Sequence, residues 1–130
     1  MSLDRFKRAR VARLATADRA GRPHLVPVTF AVHEDVVVIA VDHKPKTTTN
    51  LRRLRNIAEN DQVSLLVDHY DEDWRQLWWV RVDGVARILA GDERIEPIEW
   101  LRAKYEQYRD RPPQGPVIEI RMFKMVNWHG

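Results

Sequence analysis

With 130 residues, 44% of them hydrophobic and 32% charged, the chain has the length of one domain and the composition of a globular one. A formal net charge of +3 leans toward anionic partners but falls short of a dedicated nucleic-acid binder, and the absence of cysteine excludes disulfides, iron–sulfur clusters and cysteine-based zinc sites. No apolar run approaches the roughly 20 residues of a membrane span, and the opening MSLDRFKRAR does not resemble a signal peptide. The expectation is a single domain over residues 1–130, cytoplasmic, with no membrane and no nucleic-acid partner.

Taken in order, residues 2–9 can make a short helix, with Ser2 as N-cap and Leu3 and Phe6 on one side. Residues 10–16 read as a first strand. Asp18-Arg19-Ala20-Gly21 is turn chemistry, with Gly21 available for a positive φ. Residues 24–32 (HLVPVTFAV) read as a second strand, and the two make a hairpin. Pro27 cannot donate to a ladder, so it marks an edge, a bulge or a rim. Residues 36–41 form a third strand, apolar on both faces and therefore buried on both.

The next stretch, DHKPKTTTNLRRLRNIAE, carries Lys44, Lys46, Arg52, Arg53 and Arg55 between Asp42 and Glu59, with Thr47, Thr48 and Thr49 among them. The spacing of Leu51, Leu54 and Ala58 predicts a helix after the third strand. Lysines and hydroxyls brought to a helix start, where backbone N–H groups are unpaired, predict an anion site, read here as a phosphate site. His43, beside Lys44, could lean toward the same phosphate.

Residues 63–67 give a fourth strand and 68–75 a polar loop. Residues 76–89 give a long fifth strand, in which Gly84 marks a bend or bulge. Along it Trp79, Arg81 and Asp83 point one way and Trp78, Val80 and Val82 the other. A second helical region runs from Gly91 to about Arg109, with Ile98, Leu101 and Tyr105 on one face, and RPPQGP breaks it. Residues 117–126 close the chain as a sixth strand. Asp68, His69, Asp71 and Asp73 are better explained by loop polarity than by a metal, since no second ligand cluster accompanies them.

Six antiparallel strands with an inserted helix predict a mainly β fold, a small closed barrel. Such a barrel encloses little beyond its own side chains. A large cofactor would therefore lie in an outer groove, completed by a second subunit of a homodimer.

These features resemble the split β-barrel flavin and deazaflavin oxidoreductases, the pyridoxamine-phosphate-oxidase-like superfamily with an FMN-binding-like fold. The matching pieces are ARLATADRAGRPHLVPVTF, KPKT, NLRRLRNIAENDQVSLLVD, WWVRVDGVARIL and GPVIEI…NW, in that order over nearly the whole chain. Within the superfamily the chain looks most like the small actinobacterial branch that uses coenzyme F420. The resemblance implies that Lys44, Lys46 and Thr47 hold the cofactor phosphate. It implies that the ring lies against Pro27, Val28 and Thr29 and against Ile39, Ala40 and Val41, with Trp79 of a partner subunit covering it. More loosely, Arg52, Arg53 and Arg55 would form a lane for the F420 tail carboxylates.

The expected activity is hydride transfer between F420 and a small unsaturated or heteroaromatic molecule. No catalytic side chain is assigned, because the cofactor carries that chemistry. FMN is the alternative cofactor, and a non-catalytic module binding a cofactor, haem or another tetrapyrrole is the alternative of a different class.

Overall fold

A computed structural model gives the fold, and the structure describes residues 2–41 and 51–130. Helix α1 (Ser2–Arg8) leads into β1 (Ala12–Ala17) and β2 (Pro23–Val28), an antiparallel pair whose turn places Gly21 at φ 85° as expected. Next come β3 (Ala31–His33) and β4 (Val36–Ala40), then α2 (Arg52–Glu59) and β5 (Gln62–His69). A 3-10 turn (Trp74–Gln76) precedes β6 (Trp78–Leu89), and a second one (Gly91–Arg94) precedes α3 (Ile95–Lys104). The short α4 (Glu106–Asp110) and β7 (Val117–His129) complete the chain.

The strands form one seven-stranded sheet in the order β2-β1-β5-β6-β7-β4-β3, every pairing antiparallel. The expected mainly β split barrel is therefore present, with seven strands in place of six. The difference lies in the expected second strand. It breaks at Thr29–Phe30, where the chain leaves β1 and pairs anew with β4. Phe30 is held there by the Tyr105 hydroxyl, which bonds both its N–H and its carbonyl in place of a ladder partner. Because β2 and β3 lie at opposite ends of the sheet yet are joined by two residues, this crossing rolls the sheet into a barrel.

The core follows from the alternation. Val80 and Val82 of β6 are fully buried with Leu14, Leu65, Ile118 and Ile120, while Trp79, Arg81 and Asp83 take the outer face. Phe6 and Phe30 are fully buried, their ring centroids 5.0 Å apart, so α1 plugs one end of the barrel. The expected bulge is at Asp83/Gly84, where the β6–β7 register shifts. In α2 the buried residues are Leu54, Asn56 and Ile57, and Ala58 is exposed, so the apolar face is rotated from the expected one. Asn56 satisfies its buried amide on Thr16 Oγ1 at 3.0 Å, tying α2 to β1. Among the described residues, no helix is long and apolar enough to cross a membrane.

Candidate functional site

The strand exchange at Thr29–Phe30 opens a cleft of about 270 Å³ in the barrel wall. Its floor is Pro27, Val28 and Thr29 from the end of β2 with Ala40 from the end of β4. Its other wall is Tyr105, Gln107 and Tyr108 from the α3–α4 corner, and Arg53 of α2 completes it. The sequence brings these together for local reasons. Pro27 sits on a strand at the end of the sheet, where a missing N–H costs little. Tyr105 has extended backbone at φ −117°, which interrupts the helix and turns Tyr108 toward β2.

The wall is fastened by a knot of long-range bonds. Tyr105 Oη lies 2.9 Å from the Arg10 carbonyl and 3.1 Å from that of Phe30, and it accepts from the Phe30 N–H at 3.1 Å. Lys104 Nζ donates to the Phe30 carbonyl at 2.9 Å and sits 3.9 Å from the Phe30 ring centroid. Arg10 donates to the Lys104 carbonyl at 3.0 Å and stacks over the Tyr105 ring. Burial, with the Arg10 charge second, lowers the Lys104 ammonium pKa from its ordinary 10.5 to about 8. Burial also raises the Tyr105 phenol, so it stays a neutral hydroxyl. Beside this knot, Thr29 Oγ1 and Tyr108 Oη are hydrogen-bonded at 2.7 Å.

Of the residues expected at the site, Pro27, Val28, Thr29 and Ala40 converge on the cleft. Ile39 and Val41 face the barrel core instead. Lys44, Lys46 and Thr47 lie outside the described residues. Trp79 sits on the outer face of β6, opposite Trp128 of β7 and away from this cleft in the same chain. Trp78 faces inward, partly buried against the core, with Arg5 over its ring. The three arginines diverge: Arg53 lines the cleft, Arg52 approaches Asp18 at 3.9 Å and Arg55 is exposed. Tyr108 and Gln107 are not among the expected site residues, and Tyr105 is expected only on one face of the second helical region. The signal for them is a tyrosine pair spaced by three beside a helix break. Among the described residues no three metal-ligating side chains cluster; Asp73 is engaged by Arg75 at 3.0 Å.

Flat apolar strand backbone faces aromatic walls across this cleft, with hydroxyl, amide and guanidinium groups at its margin. That set fits a planar heteroaromatic ring with polar edges. At about 270 Å³ the cleft is smaller than pockets that enclose a whole drug-sized ligand. It can take the ring of a larger cofactor, whose remainder must run outside.

A split antiparallel barrel with a ring-sized cleft at its split defines the FMN-binding-like class of β-barrel. Residues 3–129 match the family model described as pyridoxamine 5'-phosphate oxidase, and the chain belongs to that family. It is 39% identical over 85 residues to a 5a,11a-dehydrotetracycline/5a,11a-dehydrooxytetracycline reductase of Streptomyces rimosus, covering 63% of this chain and 58% of that relative's length. Among solved structures it resembles HutZ, the haem storage protein of Vibrio cholerae, with TM-score 0.74, 19% identity, and coverage of 98% of this chain and 91% of that one. It also resembles a FAD-binding protein of Mesorhizobium loti, with TM-score 0.72, 19% identity, and coverage of 97% and 90%. Those two likenesses concern the fold.

Proposed function

We propose that the protein is a homodimeric oxidoreductase that binds F420 and transfers hydride between it and a small unsaturated or heteroaromatic substrate. The observation that carries this reading is the cleft at the barrel split, where Pro27, Val28, Thr29 and Ala40 meet Tyr105, Tyr108 and Arg53. Membership of the pyridoxamine 5'-phosphate oxidase family and similarity to a dehydrotetracycline reductase support it.

The bound cofactor supplies hydride chemistry, so the chain's work is to bind, orient and exclude water. Pro27, Val28 and Ala40 offer the ring an apolar floor, and Tyr105 and Tyr108 a wall against solvent. Arg53 offers charge to an anionic edge or phosphodiester, and Lys44, Lys46 and Thr47 follow in sequence from the strand that supplies Ala40. The outer sheet face, with Leu66, Trp79 and Trp128 beside the Arg13–Asp68 and Arg81–Asp83 pairs, is the surface we assign to the second subunit. From there Trp79 would reach the partner's ring.

FMN is the second reading, and a tail-less phosphate would leave Arg52 and Arg55 without a role. Haem is the third reading; the described lining of this cleft holds no histidine, cysteine or methionine, and its two tyrosines, which could ligate iron, are hydrogen-bonded to Phe30, Arg10 and Thr29. Fluorescence titration with F420, alongside absorbance titration with FMN, tests the reading. Saturable binding of F420 at micromolar concentration is expected; tighter FMN binding would exchange the cofactor, and binding of neither would overturn the assignment.

A further inference from the structure

The Thr29–Tyr108 hydroxyl pair stands apart from the floor and walls because it is polar, part-buried and aimed at the same space as Arg53. Its geometry is fixed from both sides. Thr29 precedes Phe30, which the Tyr105 hydroxyl clamps. Tyr108 packs edge-on against the Tyr105 ring, centroids 5.5 Å apart at 73°, and its N–H donates to the Tyr105 carbonyl at 3.1 Å. Nothing acidic lines the described cleft. Two hydroxyls and a guanidinium, with no carboxylate in the described lining, give that lining a preference for negative charge on whatever fills it.

We propose that Tyr108, supported by Thr29, donates a hydrogen bond to the pyrimidine edge of the bound ring and so makes the cofactor easier to reduce. This rests on the oxidoreductase reading above and adds to it a residue that sets the potential. Uptake of a hydride, two electrons with one proton, from a substrate C–H bond would add one negative charge to the ring system and leave the substrate carbon oxidised. A hydrogen bond from Tyr108 to the pyrimidine edge, with Arg53 in the same cleft lining, would stabilise the reduced ring more than the oxidised one. When Thr29 donates to the phenol oxygen, it polarises the phenol and strengthens the bond that Tyr108 makes onward.

The test is the reduction midpoint of protein-bound FMN and of protein-bound F420, measured anaerobically against reference dyes, for wild type, Tyr108→Phe, Thr29→Val and Arg19→Ala. Tyr108→Phe is expected to shift the reduction equilibrium by about tenfold toward the oxidised ring, about 30 mV for a two-electron couple. Thr29→Val should move it the same way by less, because it removes only the support. Arg19→Ala, at an exposed position in the β1–β2 turn and outside the cleft lining, should leave it unchanged. Unchanged potentials in both cleft variants, with cofactor retained, would overturn the proposal while leaving the oxidoreductase reading standing. Should wild type bind neither cofactor, both readings fall together. If Tyr108→Phe does not retain cofactor, the Thr29→Val potential decides.

Discussion

Tyr105 and Phe30 are joined twice: the Phe30 N–H donates to Tyr105 Oη at 3.1 Å, and the same oxygen lies 3.1 Å from the Phe30 carbonyl. The Arg10 carbonyl is 2.9 Å from that hydroxyl as well, so its single proton is shared between two acceptors. Tyr105→Phe would keep the ring but leave the Phe30 amide buried without its acceptor. The Phe30 carbonyl would keep Lys104 as a donor. The expected loss is about 1–3 kcal/mol, read as a lower urea midpoint at unchanged slope. A midpoint equal to wild type would show that water replaces the phenol.

Lys104 gives the fold a pH signature. Its folded pKa of about 8 lies below its ordinary 10.5, because burial and then Arg10 disfavour the charged form. Between those two values the unfolded chain binds the extra proton, so stability rises with pH through that window. Below it the cost of the charged ammonium is fully present. Tyr105 acts in the opposite sense above pH 10, since its raised phenol pKa lets the unfolded chain ionise first. Urea midpoints at about pH 7 and about pH 9.5 should therefore rise in wild type. In Lys104→Met that rise should be missing. An equal rise in both proteins would assign it to other groups.

Gly84 is set by contact and not by backbone angle. A Cβ there would lie 2.6 Å from the Arg121 carbonyl oxygen and 2.6 Å from Ile120 Cγ2. The first of these is backbone in the paired strand and cannot swing aside. Gly84→Ala must push β7 off the bulge, at a cost of about 1–3 kcal/mol. A thermal melt of the variant checks it, and an undiminished Tm would mean that the bulge can slide.

The three arginines of α2 should separate in cofactor titrations. Arg53→Ala removes a guanidinium from the cleft and should weaken an anionic cofactor by roughly tenfold or more. Arg52→Ala should act through stability, because its partner is Asp18 at 3.9 Å in the hairpin turn. Arg55→Ala tests the tail directly. Weaker binding of F420 bearing its polyglutamate tail, with tail-less F420 unaffected, would support the lane, and equal binding of both would remove Arg55 from it.

Much of the barrel was legible because its signals are local. Gly21, the alternation along β6, the bulge at Gly84 and the two-sided burial of β4 each follow from a few neighbouring residues. The break within HLVPVTFAV was not legible. That run is continuously strand-forming, and what ends its first pairing is a hydroxyl 75 residues away in sequence. The floor of the site was readable through the family resemblance, whereas the wall was not. Tyr108 meets Thr29 across 79 residues, and only the folded α3–α4 corner brings the two together. Ile39 of β4 and Val41 just beyond its end flank Ala40 but point inward, a distinction that an all-apolar run does not announce.

The two-residue crossing between β2 and β3 also limits how this scaffold can diversify. An insertion or deletion at Thr29–Phe30 would change the register of β3 on β4, turning its side chains to the opposite face and removing Phe30 from the end of the barrel. Length variation at the floor of the cleft would therefore cost the barrel its strand exchange. The α3–α4 corner carries no ladder, so apart from Lys104 and Tyr105, which hold Phe30, its residues can change without disturbing a strand. New specificities would accumulate there, at Gln107 and Tyr108, while Tyr105 and the strand exchange stay as they are.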